Sequence, residues 1–211
     1  MSKPMTIADY YRWFHREWMR AGLVVAVFLL VYLTVLVAPV NLVLYAMLLC
    51  APLYMLHETE EYIFPGGFAQ FANQDIYKQD PENGLADETA VFWINMGYIW
   101  LALPVCGLLA VYDLRFAAWM PYFFIFQALV HVMLSIVARR RYSPGLITAL
   151  FLHVPFAVWA IRLLQAAGIV QSVWWNVHLM IGFLSILGLP VMGLILLQRY
   201  RKRMAHARSA M

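Results

Sequence analysis

Charged residues and cysteines are scarce in this sequence. Only 12% of its 211 residues are Asp, Glu, Lys or Arg, about half the usual share of a soluble domain, whereas 64% are hydrophobic. The mean hydropathy is positive. This composition excludes an ordinary soluble domain of this length and predicts an integral membrane protein.

The two cysteines, Cys50 and Cys106, both lie inside apolar runs. Their placement excludes a disulfide framework and a thiolate metal site, and it indicates packed thiols. The net charge is +4, but the basic residues cluster at the ends of apolar segments. They therefore indicate orientation in a bilayer, so we expect membrane lipids as partners and no nucleic acid.

Six apolar runs predict the fold class. An all-α, polytopic membrane helix bundle of about six spans is expected, as a single domain over residues 1–211. Pro39 and Asn41 predict a tight turn that makes residues 22–57 a helical hairpin, and Pro190 predicts a kink in the last helix. The runs cover residues 22–38, 41–57, 91–112, 116–138, 145–166 and 173–198, and the last four form a four-helix portion over residues 91–198.

The first 21 residues are polar and aromatic and lack the features of a secretory signal peptide. Tyr10, Phe14 and Trp18 recur at a helical spacing of four. This pattern predicts a separate N-terminal interfacial helix over residues 1–21, with its rings at headgroup depth.

Residues 58–90 hold eight of the eleven acidic residues of the chain. This stretch is predicted to be an acidic cytoplasmic loop with a short helix around Phe68 to Tyr77. Phe64, Phe68, Phe71 and Tyr77 are apolar enough to dock. We therefore expect residues 62–78 to lie as a lid over the cytoplasmic mouth of the bundle.

Three clusters of basic residues predict the orientation. With six spans they share one face, and only Arg115 and Arg162 fall on the other. The positive-inside rule then puts both termini in the cytoplasm, which is typical of a protein of the cell (inner) membrane. The clusters are Lys3, Arg12, Arg16 and Arg20, then Arg139 to Arg141, and then Arg199, Arg201, Lys202, Arg203 and Arg208, which form the basic tail of residues 199–211.

The most informative stretch is His57-Glu58-Thr59-Glu60-Glu61, at the end of the second apolar run. In a helix, His57, Glu60 and Glu61 stand at i, i+3 and i+4 and share one face. They are then a ligand cluster or an acid and base cluster. In the alternative interpretation, the charges only mark the point where a helix leaves the membrane.

Two histidines lie at a matching depth. His131 precedes Arg139 by eight residues and His153 follows Pro144 by nine, so both lie ~12 Å inside the same boundary. Either alone is typical of a hydrogen-bonded core histidine. Together with the first cluster they predict a buried site, because ionisable groups at membrane depth are costly and are usually functional.

Imidazole and carboxylate are the ligands that hold a divalent zinc or iron ion in an open site. The predicted ligands are His57, Glu60, Glu61, His131 and His153. Whichever of Glu60 and Glu61 does not bind the metal is the predicted general base, so both are catalytic candidates.

The expected function is therefore a metal-dependent enzyme, a hydrolase or an oxidoreductase, that acts on a small lipid-like or other membrane-embedded substrate near the cytoplasmic leaflet. The alternative is a non-enzymatic transporter or lipid-binding module that uses the same cluster. Gly and Ala on several helices serve packing within one bundle as well as between two copies, so a homo-oligomer stays open.

The sequence resembles the HXXEE-motif integral membrane proteins over roughly residues 45 to 155. His57-Glu58-Thr59-Glu60-Glu61 matches the defining His-x-x-Glu-Glu motif. Ser143-Pro144-Gly145 matches a later Asn-Pro-Gly motif, with serine in place of asparagine. The resemblance implies that His57, Glu60 and Glu61 are important, and it implies no particular reaction.

Overall fold

The computed structural model describes residues 5–82 and 84–188, together with the isolated positions 191, 195, 198 and 200. These residues form helices joined by short connections, and the described chain contains no β-strand. The all-α prediction is confirmed to this extent. The predicted kink at Pro190 and the basic tail after residue 200 lie outside the described residues.

The first two helices form the predicted hairpin. Helix α1 spans Ile7–Leu36 and helix α2 spans Leu42–Tyr62, and the turn between them ends at Asn41, whose side chain accepts a hydrogen bond from the Leu44 N–H. The prediction of a separate interfacial helix over residues 1–21 is wrong, because α1 is continuous. No proline interrupts it, and Gly22 stays helical while the Trp100 ring packs against it.

Helix α2 extends five residues past His57 and contains the whole His57 to Glu61 motif. The acidic connection therefore begins after Tyr62 and not at residue 58. The helix continues because its acidic residues are enclosed by neighbouring helices: Glu58 is 1% exposed and Glu61 is 3% exposed. The motif consequently belongs to the interior of the bundle and not to its water boundary.

A short helix lies in the connection, as predicted. Helix α3 spans Phe68–Phe71 and continues as a π-helical turn over Ala72–Ile76. Phe71 is buried, whereas Phe64 is 81% exposed and takes no part in the packing. Arg140, which follows the helix of Met120–Ala138, forms an ion pair of 2.9 Å with Asp75, so the α3 segment is held at that end of the bundle.

Four further helices complete the described chain. Five of the seven helices are long and apolar enough to cross a membrane, whereas α7 is shorter, so the described residues contain five candidate spans rather than six. Helices α4 and α6 contain π-helical turns at Tyr98–Ala102 and Ala149–His153. The four helices are α4 (Glu88–Leu109), α5 (Met120–Ala138), α6 (Leu146–Ala166) and α7 (Val177–Gly188).

Helix α2 lies at the centre of the bundle and contacts α1, α4, α5 and α6. Because consecutive helices run antiparallel, the C-terminal ends of α2 and α5 lie beside the N-terminal ends of α1, α4 and α6. Trp18 of α1 packs on Tyr62 of α2 there, with ring centroids 5.4 Å apart. This end of the bundle holds the polar residues considered next.

Candidate metal centre

Three predicted site residues converge inside this end of the bundle. His57 and Glu61 lie one turn apart on α2, and His131 reaches them from α5. Glu61 Oε1 is 3.6 Å from His57 Nε2 and 3.3 Å from His131 Nε2. One ligand atom from each residue falls within 4.8 Å of the other two, and the three side chains are buried. This group can hold a divalent metal ion.

The two separations from Glu61 Oε1 agree with tetrahedral coordination. Two ligands that each lie ~2.1 Å from a tetrahedral zinc ion are ~3.4 Å apart. The observed 3.3 and 3.6 Å separations bracket that value. Gln127 Nε2 donates to His131 Nε2 at 3.2 Å, so this nitrogen is unprotonated and, like Glu61 Oε1 at 3.3 Å, an acceptor; a bound metal ion would take the place of Gln127 at its single lone pair. A cation between the two acceptors would offset their repulsion.

Gly145 covers the group from the connection between α5 and α6. Its φ of +93° is in the left-handed region. A Cβ added there would lie 2.5 Å from His131 Cε1, 2.8 Å from His57 Cε1 and 2.9 Å from Glu61 Cγ. Only glycine allows the backbone to approach this closely, which gives the Ser143-Pro144-Gly145 segment a direct part in shaping the site.

Ser143 orders the same connection. Its hydroxyl donates to the backbone carbonyl of His131 at 3.0 Å, and the Ser135 hydroxyl donates to Ser143 Oγ at 3.1 Å. Both serines are buried. The serine that replaces the asparagine of the resembled motif therefore ties the connection to the helix that carries His131.

Glu60 lies one residue from Glu61 but faces elsewhere. Its Oε1 accepts from the Ile147 N–H at 3.0 Å, and its Oε2 accepts from the Thr148 N–H at 2.6 Å. It thus sits at the N-terminal end of α6, where free N–H groups and the helix dipole favour an anion. The structure does not bring Glu60 into the group of His57, Glu61 and His131, and its predicted catalytic role stays a prediction.

Two side chains complete the surroundings of Glu60. The Tyr142 hydroxyl donates to Oε1 at 2.9 Å, and the Thr148 hydroxyl donates to Oε2 at 2.6 Å. Burial, and then the neighbouring Glu60 carboxylate, raise the pKa of Tyr142, so its phenol stays protonated and remains a donor. Glu60 therefore accepts four hydrogen bonds.

His153 lies next to the group on α6. Its ring centroid is 4.5 Å from that of His57 and 4.1 Å from that of Phe124. The side chain is fully buried, and neither ring nitrogen has a hydrogen-bond partner in the described part of the protein. Its ligand atoms do not join the other three residues in the compact group, so its role as a ligand stays a prediction.

The sequence analysis did not find Thr148, Gln127 and Tyr142 as members of the site. Thr148 is the fourth residue after Pro144 and looks like an ordinary helix-start residue. Gln127 precedes His131 by one helical turn, and this i, i+4 spacing was the available signal. Tyr142 gives no signal of its own, because only the fold brings it to Glu60.

The fold and the site define a class: a helical protein whose described residues include five membrane-length apolar helices and a buried His and Glu cluster able to hold a metal. The family model described as "Protein of unknown function with HXXEE motif" matches residues 48–160, more than half of the chain. The chain belongs to this family, and the resemblance drawn from the sequence is confirmed. No curated protein and no solved structure matches the chain.

Proposed function

We propose that this protein is a metal-dependent enzyme of the membrane, with its metal held by His57, Glu61 and His131. The main support is that one carboxylate oxygen of Glu61 lies 3.3 Å from an imidazole nitrogen of His131 and 3.6 Å from one of His57, with all three side chains buried. Without a cation, such a group keeps polar atoms away from water at considerable cost. Three protein ligands and one open position are typical of catalytic zinc sites.

The ligand set limits the chemistry. Zinc with two imidazoles and one carboxylate supplies an activated water for hydrolysis, and iron with the same ligands supplies redox chemistry. Glu61 Oε1 faces the two histidines. Its second oxygen, Oε2, would then be available as a base, whereas Glu60 remains hydrogen-bonded at the start of α6.

A cavity beside the site supports a lipid-like substrate. It has a volume of about 550 Å³ and is lined by Trp18, Tyr62 and Phe68 together with polar residues of the connection. Such a volume is typical of small-molecule pockets. Phe68 lines this cavity, and its ring centroid is 6.3 Å from that of His131. An amphiphile could enter here once Phe68 moves.

The same end of the bundle carries Arg12, Arg16 and Arg20 on α1 and Arg139 to Arg141 after α5. Under the positive-inside rule this end faces the cytoplasm. We therefore place the protein in the inner membrane, with its site about two helical turns inside the cytoplasmic leaflet and with membrane lipids as its partners and substrates.

Metal analysis of the purified protein tests the metal centre. We expect stoichiometric zinc or iron in the native protein, and loss of it in His57→Ala, His131→Ala and Glu61→Gln. His178→Ala is the matched control, because His178 is a buried histidine on α7, outside the site. Native protein that stays metal-free after incubation with Zn²⁺ or Fe²⁺ would refute the metal centre.

Turnover is tested separately in vesicles of phosphatidylethanolamine and phosphatidylglycerol, with mass spectrometry of the lipids. Hydrolysed or oxidised lipid should form with metal-loaded native protein and not with Glu61→Gln. A protein that holds its metal but leaves these and other supplied membrane lipids unchanged would instead support the lipid-binding or transport alternative.

A further inference from the structure

The hydroxyl of Thr148 lies between two site residues. Its Oγ1 is 2.6 Å from Glu60 Oε2 and 2.7 Å from His57 Nδ1. A hydroxyl has a single hydrogen, so it can donate to only one of these two neighbours. The direction of each hydrogen bond therefore fixes where the His57 proton lies.

Glu60 decides the direction. Besides Thr148 Oγ1, the carboxylate accepts from the Tyr142 hydroxyl and from the N–H groups of Ile147 and Thr148. Four donors and the N-terminal end of α6 stabilise its ionised form, which can only accept. At 2.6 Å the charged carboxylate is a closer and stronger acceptor than the Gly145 carbonyl, which lies 3.3 Å from Oγ1. The Thr148 hydroxyl therefore donates to Glu60, and the lone pair of Oγ1 is left for His57.

The contact between Thr148 and His57 is then a hydrogen bond only if Nδ1 of His57 carries the proton and donates it. In a neutral imidazole this leaves Nε2 without a proton. Nε2 is the atom that faces Glu61 Oε1 at 3.6 Å, and it has no hydrogen-bond partner among the described residues. An unprotonated nitrogen at this position can bind a cation.

We propose that Thr148 is a positioning residue that holds His57 in its Nδ1–H tautomer and so keeps Nε2 available as a metal ligand. Glu60, Thr148 and His57 form one hydrogen-bonded chain in which the carboxylate orients the hydroxyl and the hydroxyl orients the imidazole. Outer partners of this kind fix the tautomer and the ring orientation of metal-binding histidines. The proton on Nδ1 follows from hydrogen bonding alone, and only the use of Nε2 as a ligand rests on the proposed function.

Nitrogen-15 NMR of the histidines in chelator-treated protein tests the tautomer without metal. The signals of His57 are identified by their loss in His57→Gln. We expect a protonated Nδ1 and an unprotonated Nε2 in the native protein. A proton on Nε2, in either the other tautomer or an imidazolium ion, would overturn the proposal, and this result needs no variant of Thr148.

Two substitutions of Thr148 separate the hydroxyl from the shape of the side chain. Thr148→Val keeps the shape and removes the acceptor, so the Nδ1–H tautomer should no longer dominate. Thr148→Ser keeps the hydroxyl and should retain it. Thr59→Val on α2 is the matched control, since within the described part of the chain the Thr59 hydroxyl donates only to the backbone carbonyl of Met55, at 3.4 Å. An unchanged His57 signal in Thr148→Val would refute the role of Thr148.

Zinc affinity then tests the consequence. Loss of an outer partner typically weakens metal binding by about 10 to 100-fold, and we expect this for Thr148→Val and not for Thr148→Ser or Thr59→Val. If the native protein binds no metal but shows the expected tautomer, the proposed function fails and the tautomer stands. If the native protein and Thr148→Val bind zinc equally, the positioning role fails and the metal centre stands.

Discussion

Gly145 lies so close to His131 that a methyl group on the glycine would come within 2.5 Å of Cε1 of the imidazole. The left-handed backbone at Gly145 turns the chain across the group of His57, Glu61 and His131 at the point where α6 begins. The site therefore has two halves: α2 with α5, and the start of α6. They meet at Gly145, which has no side chain.

Gly145→Ala should consequently damage both stability and metal binding. The overlap should cost about 1–3 kcal/mol, as in other overpacked cores, and the left-handed backbone about 1–2 kcal/mol more. Thermal unfolding in detergent and metal content are the two measurements. Gly168→Ala is the matched control, because Gly168 also has a positive φ of +72° but an added Cβ would meet nothing within 4 Å.

The two substitutions can then be compared. Gly168→Ala should show only the backbone cost and keep the metal. Equal losses of stability in both variants, with metal retained in both, would mean that the close approach of Gly145 to the histidines has no consequence.

Substitution of the two adjacent glutamates should have opposite effects. Glu60→Gln replaces an ionised acceptor at the start of α6 by a neutral amide and should lower the unfolding temperature, because hydrogen bonds to charged groups contribute about 1.5–3 kcal/mol. Glu61→Gln removes the carboxylate that faces two imidazoles and should abolish metal binding while it leaves the metal-free protein at least as stable. Unfolding of chelator-treated protein checks both, and a reversed order would contradict the roles given to these residues.

The ion pair of Arg140 and Asp75 should hold the α3 segment against the bundle. Arg140→Ala should speed proteolysis within residues 62–78, whereas global stability should fall by only about 0.2–1 kcal/mol because the pair is partly exposed. Arg141→Ala is the control for loss of a neighbouring positive charge. The double variant Asp75→Arg/Arg140→Asp should restore protection from proteolysis. If it does not, the docking of α3 depends on Phe71 and not on the ion pair.

Reporter fusions at each terminus test the membrane topology. Both are expected to lie in the cytoplasm, which requires that the chain beyond α7 completes a sixth span. An external C-terminus with a cytoplasmic N-terminus would give five spans, in agreement with the five candidate helices of the described residues. An external N-terminus would move the site to the outer leaflet and refute its proposed location.

The sequence predicted most of the helices and the level along them at which the site residues lie, because apolar runs and helix rise are local properties. His131 was found in this way: its distance from Arg139 placed it level with the end of α2. The continuity of α1 could not be predicted from polarity, since a polar segment and an apolar segment join without any change in backbone at Gly22. Hydrophobicity changes along that helix, but its hydrogen bonding does not.

The different roles of Glu60 and Glu61 could not be predicted from their spacing. Both lie on the helix face that carries His57, and a rotation of ~100° between neighbours separates them. The position of the α6 N-terminus, which is a tertiary feature, decides that one carboxylate binds backbone N–H groups and the other meets two histidines. Thr148 was missed for the same reason, because its two partners belong to a different helix.

The π-helical turn at Ala149–His153 affects which residues of α6 can reach α2. In a regular α-helix, Thr148 and His153 are five residues apart and would point about 140° away from each other. The wider turn accommodates one more residue per revolution, so both side chains reach His57. Thr148 Oγ1 is 2.7 Å from His57 Nδ1, and the ring centroids of His153 and His57 are 4.5 Å apart. The turn thus has the character of a one-residue insertion. Removal of Leu150 would leave Thr148 and His153 four residues apart in a regular α-helix, ~40° from each other, so His57 would keep both its hydroxyl partner and its neighbouring imidazole without the wider turn.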